Sequence, residues 1–549
     1  MAFIQAIHQT MNHTKSGVNG ATVYTEEGVG DERVSLFTML NRGLDSSYIQ
    51  RAVNKIVCSG NLDHIKDLYV LLFQTRDVRG GKGEKDLFYA FFKALYITNQ
   101  KLTARFLSLI PEYGCWRDMW ELMEEIPELR SYILLIAKDT FFEDIAKQHK
   151  KESNLSLLAK WLPREKSKYY PGAATLCADA FFPAEPSARA RMVLYRKTVS
   201  ELNRSLKTVE VNMCGKSWAA ITPDAVPGRC LKLHTKAFLN EPAKGNGKEL
   251  RFPDDADRML CRLHFQAFVQ DVKKGTKKAH GAHVVLPHEL VTNVLQSNAY
   301  PIHTTEDVYA IHQAQWDSIR EETMKLGGLG KAVAMCDFSG SMAGTPKWIS
   351  LALGVLISEV THPAFRDHIL SFDAEPQWHS FAGLRTLKEK VTSIGHAMGQ
   401  GLHTNFYKAC MCIIDTLVKG NVPVGEEPED LIVLTDMGFD VASKDHKDNR
   451  NETSQWLMQL EQIRAAFSAA GGWKPPRIII WNLRSEYNDF HAKANEEGVV
   501  QLSGWSPSML KALQKGDIQV MTPYAGLRAV LDDERYEAVR DMWDRAMLK

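Results

Sequence analysis

The spacing of apolar positions changes once along this chain, and the change divides it in two. From Ser35 to about residue 150, apolar residues recur at i, i+3 and i+4. The runs are "YIQRAVNKIVCSG", "LDHIKDLYVLLFQTRD", "EKDLFYAFFKALYITN", "LTARFLSLIPEYG", "CWRDMWELMEEI" and "LRSYILLIAKDTFFEDIAKQ". That period predicts amphipathic helices, each closed by short polar or Gly/Pro punctuation. It returns in "SLLAKWLPREKSKYY", "ARARMVLYRKTVSELNRSL", "DADRMLCRLHFQAFVQDVKKG", "HELVTNVLQS" and "VYAIHQAQWDSIREETMKL". Short-linked helices predict antiparallel pairs stacked as an irregular α-solenoid, although no clean sequence repeat is visible. The basic, Gly-containing stretches "NEPAKGNGKELRFPDD" and "KKGTKKAHGAH" read as exposed loops. Residues 1–30, polar and Gly-rich, read as a flexible arm.

After "GGLGK" (327–331) the pattern alternates. Apolar runs of strand length, "AVAMCDF", "HILSFD", "QWHSF", "DLIVLTDM", "RIIIWNL" and "VVQLSG", are separated by amphipathic runs such as "WISLALGVLISEVT" and "NFYKACMCIIDTLVKG". Buried strands alternating with helices predict a mostly parallel, doubly wound α/β sheet. "QWHSF", a short turn after "HILSFD", is expected as the one antiparallel edge strand. The expected organisation is an arm (1–30), an all-α helical-repeat part (31–325) and an α/β domain (326–549). The joint between the last two is short, so the parts are expected to pack together.

Composition changes this picture little. The 549 residues are 44% hydrophobic and 24% charged, with a formal net charge of +1, ordinary values for a globular protein. The charge is uneven: 44 Lys and Arg against 38 Asp and Glu in residues 1–330, and 23 against 28 in residues 331–549. An anionic partner would therefore meet the first part. No run approaches the roughly 18 apolar residues of a membrane span. The opening residues lack the basic and apolar regions of a secretory signal, so a cytoplasmic location is expected. Nine cysteines fall at no regular spacing and read as reduced, buried thiols.

The candidate chemistry sits where the first strand of the α/β part runs out. In "AVAMCDFSGSMAG", Asp337, Ser339 and Ser341 can turn three oxygens toward one point. A carboxylate with two hydroxyls suits a hard cation, Mg²⁺, Mn²⁺ or Ca²⁺. Doubly wound sheets gather ligands at the carboxyl ends of their strands. Further oxygens are expected from Thr404 in "GLHTNF" and from Asp436, which ends "LIVLTDM". The alternative is a plain strand-ending turn, since Asp and Ser favour turns; Thr404 and Asp436 at other strand ends weigh against it.

This set resembles the metal-ion-dependent adhesion site of von Willebrand factor A domains: D-x-S-x-S, a Thr 67 residues after Asp337, and an Asp 32 residues later. The likeness covers roughly residues 328–549. It implies that Ser339, Ser341 and Thr404 bind the ion directly or nearly so, and that Asp337 and Asp436 act directly or through water. It also implies one metal position open to the acidic side chain of a protein partner. Leu402 and His403 stand where many members have a second glycine.

The helical part carries a second resemblance. "RDVRGGKGEKDLFYAFFKAL" (76–95), "YGCWRDMWEL" (113–122) and "AITPDAVPGRC" (220–230) look like the TROVE module of the Ro ribonucleoproteins. There, a ring of HEAT-like helical repeats is closed by a von Willebrand A domain. With "WLPREKSKY", "YRKTVSELNRSLKTVE" and "LPHELV", the chain more closely resembles, over most of residues 30–549, the family catalogued as domain of unknown function 2828. The TROVE likeness implies binding of structured or misfolded RNA. Candidate phosphate contacts are Arg79, Lys82 and Lys85 in "RGGKGEKD", and Lys273, Lys274, Lys277 and Lys278 in "KKGTKK". For each stretch, an ordinary solvated loop is the competing reading.

Other motifs dissolve on inspection. "NMCGKSW" has Glu210 where a Walker A loop needs its first glycine. "SGSMAG" lacks the first glycine of G-x-S-x-G, so Ser341 is no nucleophile elbow. Trp116 and Trp120 share a helical face and read as core, and His288 and His403 read as packed or solvated rather than catalytic. The leading expectation is a non-enzymatic binding protein, RNA on the helical part and an acidic partner on the metal. An assembly scaffold without RNA is the rival. A metal-dependent hydrolase or nuclease ranks third, because two-metal chemistry wants a denser acidic cluster.

Overall fold

A computed structural model of the chain describes residues 13–242, 249–279, 285–299, 305–325, 328–372, 375–394, 406–439, 455–514 and 521–548. Strands β1 (Thr14–Ser16) and β2 (Thr22–Tyr24) form an antiparallel hairpin near the start. The main sheet has six strands: β3 (Ala332–Asp337), β4 (His368–Phe372), β5 (Trp378–Ser380), β6 (Asp430–Thr435), β7 (Arg477–Asn482) and β8 (Val499–Ser503). Their order is β5-β4-β3-β6-β7-β8, every pairing parallel except β4 with β5. All six strand runs of the sequence are found, with the antiparallel edge where it was expected.

Continuous apolar strands need both faces covered, and they are. Residues alternate between two cores, as a period of two dictates. Ala334, Cys336, Ile432, Leu434, Ile479 and Trp481 join one; Val333, Met335, Leu431, Val433, Ile478 and Ile480 join the other. Helix Thr345–Val360 belongs to the first, and helix Phe406–Lys419 to the second. Gly354 lets the first helix approach β3, since a Cβ there would collide with Cys336 Sγ.

The first core does not stop at the α/β part. It continues through Leu36, Phe37, Leu71 and Phe73 of the N-terminal helices. Helix Glu32–Met39, capped by Asp31, packs against β8, and helix Leu62–Arg76 packs against the C-terminal helix Glu537–Met547. Polar cross-links follow the same seam. Asn41 Nδ2 donates to Asn482 O (3.0 Å), Asn482 Nδ2 to Thr38 O (3.0 Å), and Arg535 Nε to Asp77 (2.6 Å). The change of secondary structure near residue 326 is therefore not a break in packing. A smaller core of Ile221, Phe238, Phe265 and Ile311 serves the helices before that joint.

The arm expectation needs correction for residues 13–30. Tyr24 N donates to Phe490 O (2.7 Å), Val18 N to Asp489 Oδ2 (2.9 Å), and Asn19 Nδ2 to Gly438 O (2.9 Å). Ala21 and Val23 are buried. A three-residue strand shows almost no period of its own, so this hairpin is held by what it docks on. Among the described residues, no helix is long and apolar enough to cross a membrane.

Candidate functional site

Parallel pairing sets β3 and β6 in register, Cys336 beside Leu434. Asp337 and Asp436 consequently emerge at one edge of the sheet. Both are 0% exposed. Asp337 Oδ1 accepts from Ser339 N (2.9 Å), and its Oδ2 accepts from Thr435 Oγ1 (2.8 Å). The Ser339 and Ser341 hydroxyls lie 3.0 Å apart. Asp436 Oδ1 accepts from Gly438 N (3.1 Å), while Oδ2 is buried with no hydrogen-bond partner among the described residues.

The turn after β6 aims that carboxylate. Met437 takes a left-handed backbone, φ 75°, a conformation that costs free energy in a residue other than glycine and gathers at functional sites. His491 Nε2 lies 2.7 Å from Met437 O, and Met437 N donates to Thr435 Oγ1 (3.3 Å). At the rim, Arg484 Nη1 donates to Ser341 O.

Electrostatically, the two acids are uncomfortable. Burial pushes the Asp337 carboxyl up, and the neighbouring Asp436 charge pushes it further; burial also raises Asp436, against the nearby Ser341 hydroxyl, the Gly438 N–H and Arg484. A dication between two such carboxylates would relieve their repulsion and engage the orphaned oxygen. Two carboxylates with adjacent hydroxyls fit a hard, oxygen-loving ion. Among the described residues, no group of three or more His, Cys, Asp and Glu could hold a metal, so the serine hydroxyls would be integral to any such ligand set. The structure thus brings together Asp337, Ser339, Ser341 and Asp436. Thr404 lies outside the described residues, as does His403.

The basic candidates fare unevenly. Lys82 is no phosphate contact: it is 0% exposed, and its Nζ donates to Phe37 O (3.1 Å), Leu40 O (2.7 Å) and Ser503 Oγ (2.6 Å). Burial drives its ammonium pKa well down. Arg79 is exposed but donates to Glu112 O (3.0 Å), and Lys85 sits 3.2 Å from Asp86. Lys277 lies 3.6 Å from Asp271, and Lys278 pairs with Glu321. Lys273 and Lys274 are exposed at the end of helix Ala256–Lys273.

The blocks around Lys82 also prove to be internal girders. Arg76 Nε donates to Asp118 Oδ2 (2.9 Å), and Tyr89 OH donates to Asp118 Oδ1 (2.6 Å), all three groups being buried. Trp116 and Trp120 are core, as expected, and Gly215, Lys216 and Ser217 form an exposed stretch.

Comparison with known proteins finds two family matches along the chain. Residues 130–329 match the family described as domain of unknown function DUF2828, and residues 331–542 match domain of unknown function DUF7788. The chain is also similar to "Uncharacterized protein L728" of Acanthamoeba polyphaga mimivirus. The two are 27% identical, and the match covers 84% of this chain and 82% of the relative. The DUF2828 likeness read from the sequence is thereby supported over residues 130–329, while residues 331–542 match a different family.

Proposed function

We propose that this is a non-enzymatic binding protein whose α/β part holds a divalent cation of the Mg²⁺ class and uses it to grip an acidic side chain of a protein partner. The observation that carries this reading is the buried Asp436 Oδ2, without a hydrogen-bond partner among the described residues, beside Asp337 and the paired Ser339 and Ser341 hydroxyls. The resemblance to the von Willebrand A adhesion site supports it. Ser339 and Ser341 would supply neutral oxygens and Asp337 and Asp436 charge, directly or through water; the resemblance adds Thr404, which lies outside the described residues. The cation, when bound, offers an open position to a carboxylate; Thr435 and Gly438 hold the two aspartates in place for it.

The test is a double substitution, Ser339→Ala with Ser341→Ala. Titration calorimetry is expected to show Mn²⁺ affinity reduced by roughly tenfold or more, with the thermal midpoint of metal-free protein little changed. Unchanged Mn²⁺ affinity in that variant would remove these residues from the site.

A second reading, RNA binding through the helical part, rests on the charge split and on exposed Lys273 and Lys274. Retention of structured RNA should fall steeply with salt, because each neutralised phosphate releases counterions, a slope of roughly 0.7 to 0.9 per contact. Lys273→Gln with Lys274→Gln should lower that slope by about one to two. Full-length protein that retains no RNA at low salt would leave the assembly scaffold as the better account of the helical part.

A further inference from the structure

A cavity of about 360 Å³ opens on the seam between the helical and α/β parts, bounded by helix Glu306–Lys325 and the start of helix Leu387–Ile394. It shares no residue with the acidic edge of the sheet. Its volume falls in the range of small-ligand sites, roughly 300 to 1,000 Å³. Val272, Val294 and Leu387 give it apolar walls, and the Tyr309 ring also lines it. His312 lines it too, only 6% exposed, with a ring Nδ1 that has no hydrogen-bond partner among the described residues.

We propose that this cavity is a binding site for a mononucleotide, with the base between the apolar walls and Tyr309, its polar edge on His312 and Asp317, and its phosphate toward Lys273 and Lys388.

Three features of the lining select this chemistry. The walls ask for a flat, largely apolar body. The interior asks for hydrogen bonds of both senses. Burial, with Lys232 and Lys236 nearby, pushes His312 down to about 4, so at neutral pH its ring carries one N–H and one bare nitrogen. Asp317, half-exposed at the cavity's rim, adds an acceptor raised by partial burial; it already takes Gln313 Nε2 at 3.0 Å and pairs with Arg320 at 3.2 Å. The edge of a heterocyclic base presents donors and acceptors side by side. The third feature is charge: Lys273 ends its helix exposed, and Lys388 Nζ stands 4.1 Å from the Tyr309 ring centroid. Lys388 also pairs with Glu306 at 3.2 Å, so Lys273 is the freer phosphate contact.

Other ligand classes fit worse. A fatty acid would satisfy walls and lysines but leave the buried His312 Nδ1 against hydrocarbon, at about 1–3 kcal/mol for that unpaired group. An organic cation would suit Asp317 but meet Lys273 and Lys388. A divalent ion would find too few carboxylates and apolar walls around them. The seam location has a consequence: Gln313 Oε1 accepts from Leu387 N (2.8 Å) across the joint, so an occupied cavity would brace the two parts against each other.

The experiment is calorimetry of the full chain with AMP, GMP, CMP and UMP, beside adenosine, guanosine, inorganic phosphate and oleate. At least one nucleotide should bind, with its nucleoside and phosphate alone each at least about tenfold weaker. Lys273→Ala, an exposed position that leaves folding intact, should weaken the nucleotide and not the nucleoside. His312→Phe should weaken both by about tenfold. Absence of binding by all four nucleotides at millimolar concentration overturns the proposal. So does phosphate or oleate binding more tightly than any nucleotide, or unaltered affinity in both variants.

Discussion

Replacing Lys82 by alanine is expected to destabilise the protein by about 3–5 kcal/mol, the range for truncating a large buried side chain and stranding its hydrogen-bond partners. The side chain crosses from the N-terminal helices to the sheet, touching Phe37 O, Leu40 O and Ser503 Oγ. Ser503 can still serve Phe37 O after the substitution, so Leu40 O bears the main loss. Lys82 also packs its stem on Gly504, whose φ of 103° suits glycine alone and leaves room for the chain to pass. Lys82→Met refills the volume without the donors and should cost about half as much, separating cavity from polar loss. Urea unfolding at constant m-value provides the measurement. A Lys82→Ala loss under about 1 kcal/mol would mean that the lysine is solvated and would restore it as a phosphate contact.

Lys82 also shows where reading the sequence stops working. "RGGKGEKD" has the composition of an exposed basic loop, and nothing local distinguishes Lys82 from Lys85. Their fates diverge because of Ser503, more than four hundred residues away, and the carbonyls that end helix Glu32–Met39. The strands were legible for the opposite reason. Each is a short apolar run whose burial on both faces is written into consecutive residues, and the acids at their ends inherit that register. Asp337 and Asp436 could therefore be placed at one edge before any coordinates. Packing between the two parts was expected from the short joint; which helices dock on the sheet was not read, although one sign of it was present. "DLYVLLFQTR" is buried at every position from Asp67 to Arg76. A helix without a polar face belongs to an inner layer rather than to a solvent-facing solenoid. Nothing local marks Asp77, Asp118 and Arg76 for burial either; they are buried pairs only through Arg535, Tyr89 and one another.

The second large effect is a pH dependence centred on His288. This residue opens helix Pro287–Ala299, stands edge-on to the Trp505 ring at 5.3 Å, and leaves Nδ1 without a partner among the described residues. Burial, reinforced by Arg42, Lys232 and Arg229, pushes its pKa down to about 3. The folded state thus keeps the ring neutral, while the unfolded chain takes up a proton near the ordinary value of about 6.5. Below that pH the unfolded state binds more protons, so stability falls as pH is lowered from about 6.5 toward 3 and is fully present above 6.5. At pH 5 the penalty from this one site reaches about 2 kcal/mol, at 1.36 kcal/mol per unit. His288→Phe preserves the edge-on ring contact and removes the proton site. Relative to the parent, the variant should therefore gain about 2 kcal/mol between pH 8 and pH 5. Other titrating groups cancel in that difference because both proteins contain them. Parallel stability curves for the two proteins over this interval would show that His288 is protonated in the folded state, against its buried placement beside Trp505.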